Sequence, residues 1–162
     1  MEEKEQAKEK AARGKRMAKS AAREICYTAM FVAIITVCAW ISIPIGEIPI
    51  TLQTMGVCLA AALLGWKRGA IATVVYILLG LCGVPVFTGF TGGVAKLVLP
   101  TGGYIVGFLF TALIVGAASD SIKIKNVLAR MALLAAAMAV GIAVCYAFGT
   151  AWFMALYARA EK

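Results

Sequence analysis

The chain has 162 residues, of which 62% are hydrophobic and 15% charged, with a formal net charge of +8. A soluble domain carries about a quarter charged residues to wet its surface, so this composition excludes one and points to a polytopic membrane protein. The positive balance does not mark a nucleic-acid partner, because no compact basic domain exists and basic residues beside membrane spans are the usual orientation signal.

Residues 1–24 hold eight of the 16 Lys and Arg and five of the 8 acids. They favour helix but present hardly any apolar face. They read as a solvated, partly helical cytoplasmic tail, or as a helix lying on lipid. Residues 25–162 form the membrane domain. Span 1 is expected at about 25–45. It is not a secretory signal, since the apolar run is too long and no small-x-small cleavage site ends it. Ala29 and Ala33 lie four apart on this span. That spacing admits close approach by another helix, either a partner's or one of the chain's own. Pro44, Gly46 and Pro49 in SIPIGEIPI then end it.

Span 2 at about 51–66 and span 3 at about 70–82 are joined by GWKRG, with Lys67 and Arg68. Both are short for a hydrocarbon core of roughly 30 Å. Thr51 is the expected N-cap of span 2. Gln53, at the outer end of that span, cannot sit unpaired in hydrocarbon. It must meet a buried partner, a cavity or the interface. Tyr76, inside span 3, is either bonded to a neighbour or in contact with a ligand. Span 4 is expected at about 103–118, and the loop SDSIKIKN adds Lys123 and Lys125. Span 5 is expected at about 127–146, extendable to Tyr157. The five Cys (26, 38, 58, 82, 145) form no CxxC pattern and the chain has no His. They read as small buried hydrophobes rather than metal ligands or disulfides.

Alternate sides of the spans hold thirteen and three Lys and Arg. The heavier side is cytoplasmic, so the N-terminus is inside and the segment between spans 3 and 4 faces outside. Five spans leave Arg159 and Lys162 outside, which hints at a missing span. The segment CGVPVFTGFTGGVAKLVLPTGGY (82–104) is too apolar for a plain loop. Irregular backbone at membrane depth is tolerated where it lines a cavity or is buried by protein. Its glycines, Gly92 and Gly93 among them, allow close approach and offer N–H donors. Lys96 suits a carboxylate, with snorkelling as the bland alternative. Thr101 is placed to cap span 4, whose first N–H groups at Gly102 and Gly103 face the same side. With Val86, Phe87, Phe90 and Tyr104 this describes an outward-facing pocket for a small amphipathic acid. No Walker A motif, carboxylate pair or nucleophile–base pair is present, so energy for uptake must come from elsewhere.

The ordered motifs ITLQT (50–54), LLGWKRG (63–69), YILLG (76–80), GVPVFTG (83–89) and PTGGYIVGF (100–108) resemble the BioY family. These are the biotin-specific substrate-binding subunits, or S components, of energy-coupling-factor (ECF) transporters in bacterial cell membranes. The resemblance covers about 25–157. It implies an all-α bundle of six membrane helices, of which five spans are visible in this sequence. It implies biotin bound at the outer side, and assembly with a transmembrane coupling protein and two cytoplasmic ATPases. Ala29 and Ala33 match the family's coupling face. Gln53 matches its glutamine, and 89–96 and 101–104 match its glycine-rich and PTGGY segments. The ligand set expected from the residues and the resemblance together is Gln53, Tyr76, Phe87, Phe90, Gly92, Gly93, Lys96, Thr101, Gly102, Gly103 and Tyr104, with no cofactor or metal; Lys96 enters it by charge and position rather than as a family correspondence. Family members continue into a sixth span opening with Pro-Phe…Asp-x-x-Lys. That motif is absent from this sequence, so a truncated or divergent member is expected. An S component for another vitamin, and a non-transporting membrane subunit, are the alternatives.

Overall fold

The computed structural model describes residues 2–43, 49–122 and 126–160, with side chains at 6 and from 17 to 158 within them. Lys123 and Lys125 of the expected loop, and the Arg159 and Lys162 side chains, lie outside this set. The elements are α1 (Glu2–Trp40), β1 (Ser42–Ile43), β2 (Ile50–Thr51), α2 (Gln53–Leu81), α3 (Ala95–Val98), α4 (Gly102–Ser121) and α5 (Val127–Ala160). The class is all-α, as the sequence implies. Among the described residues, four helices are long and apolar enough to cross a membrane.

α1 runs without interruption from the basic segment into the first span. It stops at Trp40, not near residue 45. The backbone of 42–43 is extended and pairs antiparallel with 50–51, Ser42 opposite Thr51 and Ile43 opposite Ile50. A proline at 44 disfavours helix at the residue before it. Phe31, Val32, Ile35, Thr36 and Ala39 are buried, while Ala29 and Ala33, beside that buried face, are exposed.

α2 contains both expected spans 2 and 3. They are not separated by a loop over GWKRG. The helix is broken at one residue, Gly65, whose φ of 78° and ψ of −179° are not helical. This region is essentially reserved for glycine. The chain reverses there, so arms 53–64 and 66–81 lie side by side. Positions equidistant from Gly65 therefore meet: a Cβ on Gly69 would come within 2.7 Å of the Ala61 Cα. Farther along, Gln53 meets Tyr76. Each arm is about 18–24 Å long at 1.5 Å per residue, short of the hydrocarbon thickness. Lys67 and Arg68 fall in the first turn of the second arm. Arg68 pairs with Glu24 of α1, and Lys67 sits over the Trp66 ring at 5.4 Å.

α4 packs on α2, and α5 on α4, so α2 and α4 form the centre. Fully buried Ile35, Val57, Thr73, Tyr76, Thr111, Val115 and Cys145 make the core. Thr111 donates to the Gly141 carbonyl at 2.9 Å, a hydrogen bond from α4 to α5. The Asp120 carboxylate accepts from the Trp66 N–H at 3.0 Å, and Ser119 donates to the Ala62 carbonyl at 2.7 Å. The end of α4 thus caps the α2 reversal. The last helix extends past the expected 146 to Ala160, because nothing in its Ala-rich sequence breaks it. Cys58 and Cys145 are buried as expected, but Cys26 and Cys82 are exposed, on faces no neighbouring element covers.

Gly65→Ala is expected to destabilise the bundle by at least about 2 kcal/mol. The added Cβ would meet Asp120 Oδ1 at 2.5 Å, on top of the strained φ. Asp120→Ala removes only the cap and is expected to cost about 1 kcal/mol. Heat unfolding in detergent checks both; an unchanged midpoint for Gly65→Ala would contradict the assignment of Gly65 as the reversal point.

Candidate functional site

The cavity lies at the end of the bundle opposite the Gly65 reversal, where α2 and α4 begin. Segment 83–94 builds one side of it. Phe87 and Thr91 exchange backbone hydrogen bonds (2.9 and 3.4 Å), closing a tight loop over 87–91. Phe90 holds a left-handed φ of 56° at its tip. Trp40 anchors the loop from α1: its indole N–H donates to the Pro85 carbonyl at 3.0 Å. Its ring packs on Phe90 at 4.8 Å between centroids.

The cavity has a volume of about 160 Å³. Gln53, Thr51 and Thr54 line one wall from the start of α2; Phe87, Thr88 and Thr91 line another from the loop. Lys96 on α3, Thr101, and Tyr104, Ile105 and Phe108 on α4 add the rest, with Pro49, and Cys145 and Tyr146 of α5. The wall thus offers one cation, one primary amide, several hydroxyls and an apolar floor. Among the described residues, no carboxylate lies on it.

Three groups are held in distinct ways. Gln53 is 4% exposed and donates through Nε2 to the Tyr76 hydroxyl at 2.9 Å. Tyr76 in turn donates to the Val86 carbonyl at 3.0 Å, so the amide is tied to the loop through span 3. Phe87 packs edge-on against Tyr76 at 5.6 Å and is nearly buried. Thr101 Oγ1 is sealed from solvent without a hydrogen-bond partner among the described residues. A buried hydroxyl left unpaired costs about 1–3 kcal/mol.

Gln53, Phe87, Lys96, Thr101 and Tyr104 of the expected set therefore come together around one cavity. The others do not line it. Tyr76 is fully buried behind Gln53, with its proton committed to Val86. Phe90 is 65% exposed and faces Trp40. Gly93 spends its N–H on the Gly80 carbonyl at 2.7 Å, and Gly92 sits against the Val84 carbonyl with no room for a Cβ. Gly102 donates to Leu99, and Gly103 lies against Trp152 and Gly149 of α5. Gly93 and Gly102 thus spend their N–H groups on backbone carbonyls, Gly92 and Gly103 leave no room for a Cβ, and none of the four lines the cavity.

Two expected caps are absent. Leu52 precedes α2 with no side-chain cap, and Thr51 belongs to β2. Thr101 precedes α4 as expected but makes no side-chain cap bond; its hydroxyl is the one left unpaired. Sequence reasoning missed Thr51, Thr54, Thr88, Thr91, Ile105, Phe108, Cys145 and Tyr146 as wall residues. Helical spacing from Thr101 and Tyr104 could have found Ile105 and Phe108. Cys145 and Tyr146 depend on the α4–α5 crossing, which no local signal gives.

Residues 8–161 match the BioY family. The biotin transporter BioY of Thermotoga maritima is 49% identical over 58% of this chain, and the match spans 56% of that protein's length. The probable biotin transporter BioY of Pyrococcus horikoshii is 38% identical over 81% of this chain and 74% of its own. The Rhizobium etli biotin transporter BioY is 38% identical over 78% and 71%. Among solved structures, the S component for biotin from an ECF-type ABC transporter superposes with a TM-score of 0.73. It is 31% identical, and the match covers 83% of this chain and 73% of that one. Multi-pass membrane helices, the S-component fold and the ordered motifs agree: the chain belongs to the BioY family.

Proposed function

We propose that this chain binds biotin at the outer side of a bacterial cell membrane, as the substrate-binding subunit of an ATP-driven ECF transporter. The observation that carries this reading is the cavity itself. One cation, one amide and an unpaired hydroxyl converge on an apolar floor. Biotin has the matching parts: a carboxylate, a ureido group and an apolar bicycle. Lys96 is assigned to the carboxylate, by charge complementarity. Phe87, Ile105 and Phe108 wall the bicycle. Gln53, Thr101 and Tyr104 meet its polar atoms. Tyr76, Phe90 and the glycines build the walls without touching the ligand.

The partners follow from the family resemblance, which implies a transmembrane coupling protein and two cytoplasmic ATPases. The sequence carries no nucleotide-binding motif of its own, which agrees with hydrolysis in those partners. Ala29 and Ala33 are offered to that coupling protein, being small, four apart and uncovered on α1. The end carrying Glu24, Lys67 and Arg68 is assigned to the cytoplasm, which sets the cavity outside.

The purified chain in detergent is expected to bind radiolabelled biotin with a Kd below about 1 μM. Riboflavin binding in place of biotin would sink the assignment. Lys96→Ala is expected to weaken biotin about tenfold. Thr101→Val has a sharper signature. It removes a hydroxyl without a hydrogen-bond partner among the described residues, so heat stability should hold or rise while biotin affinity falls about tenfold. Lower stability with unchanged affinity would make that hydroxyl structural. Ala29→Leu with Ala33→Leu should leave biotin binding intact and abolish co-purification with the coupling protein. Survival of the complex would remove these residues from the interface.

A further inference from the structure

The Tyr76 hydroxyl has one proton, and its acceptor is a backbone carbonyl. Val86 O, 3.0 Å away, cannot donate. The proton therefore points at Val86, and toward Gln53 the phenol oxygen can only accept. Gln53 must turn its –NH₂ to Tyr76, which is the 2.9 Å contact observed. An amide is planar, so placing its nitrogen also places its oxygen. Gln53 Oε1 takes no hydrogen bond from any described residue and is not among the sealed, unpartnered atoms. Because Gln53 lines the cavity, this carbonyl oxygen is the acceptor it offers a ligand, beside a second amide N–H that no described residue takes.

We infer that Tyr76 is a positioning residue that fixes the polarity of Gln53, so that the cavity presents an amide carbonyl and selects ligands offering an N–H at that point. The relay Val86–Tyr76–Gln53 runs from loop to span 3 to span 2 and gives the amide one orientation. A glutamine on a free surface could rotate and accept or donate at will. This one cannot without leaving the Tyr76 oxygen unpaired in a fully buried site. The inference rests on the biotin reading for its ligand and refines it. A ureido N–H, rather than the ureido carbonyl, is the group that faces Gln53.

Two biotin analogues test it: the cyclic carbamates in which one or the other ureido N–H is replaced by ring oxygen. Each is nearly isosteric with biotin and keeps its carbonyl and carboxylate. Calorimetric titration of the full chain in detergent should show one of them binding about 30-fold more weakly than biotin, since two oxygens then face each other. In Tyr76→Phe the amide is released to rotate, and that ratio should fall below about threefold. Gln53→Ala should lower biotin affinity and erase the ratio too. A residue needed only for packing would lower both affinities and leave the ratio unchanged. If Tyr76→Phe does not fold, the wild type and Gln53→Ala together still read the polarity. Equal binding of biotin and both carbamates by the wild type overturns this inference alone, as does a ratio that persists in Tyr76→Phe. Failure of the wild type to bind biotin at all overturns the biotin reading and this inference with it.

Discussion

A primary amide cannot be left alone in hydrocarbon, and the pairing of Gln53 with Tyr76 is what the cavity end of this bundle is organised around. The two residues are 23 apart in sequence. On one straight helix they would be separated by about 35 Å. They meet because the chain reverses at Gly65 in a conformation only glycine adopts without strain. The reversal is itself fixed from outside, by the Asp120 carboxylate on the Trp66 N–H. A capping bond at one end of the bundle thereby sets which residues face each other at the other end.

The two ends do different work. At the reversal, charges pair with each other or with backbone: Glu24 with Arg68, Asp120 with Trp66, Lys67 over an indole. Those groups are largely satisfied within the chain. At the cavity, among the described residues, Thr101 Oγ1 and Gln53 Oε1 have no hydrogen-bond partner and Lys96 has no carboxylate beside it on the wall. Polar groups in a low-dielectric setting cost free energy when unpaired. Leaving several of them unpaired around one space is a poor way to stabilise a fold and a good way to hold a polar ligand.

Much of this was legible in the residues. Hydropathy and breakers placed the helices, and of the buried partner, cavity or interface that Gln53 demands, the structure gives it the first two: Tyr76 on one side and the cavity on the other. The boundaries that failed did so for tertiary reasons. Trp40 ends α1 early because 42–43 is taken into a strand pair. GWKRG is one glycine and the start of a helix, since a 3.6-residue period continues through Trp66, Lys67 and Arg68 without interruption. Thr101 reads as an N-cap by its position, yet its hydroxyl makes no bond to the helix. No single-sequence rule separates those outcomes.

The glycine-rich stretch is where local reading misled most, and the reason is instructive. Four glycines beside a lysine look like a ring of backbone donors for an anion. In the folded chain the N–H groups of Gly93 and Gly102 go to the Gly80 and Leu99 carbonyls, while Gly92 packs on Val84 and Gly103 on Trp152 and Gly149 with no space for a Cβ. Glycine permits close approach, but its sequence does not say what approaches. Here it is the protein. Compact backbone packing at 83–103 brings Phe87, Thr91, Lys96 and Thr101 onto a common wall, so the glycines act one step behind the chemistry. On the proposed reading, recognition falls to side chains whose donors and acceptors are fixed individually, as the Tyr76 hydrogen bond fixes the Gln53 amide.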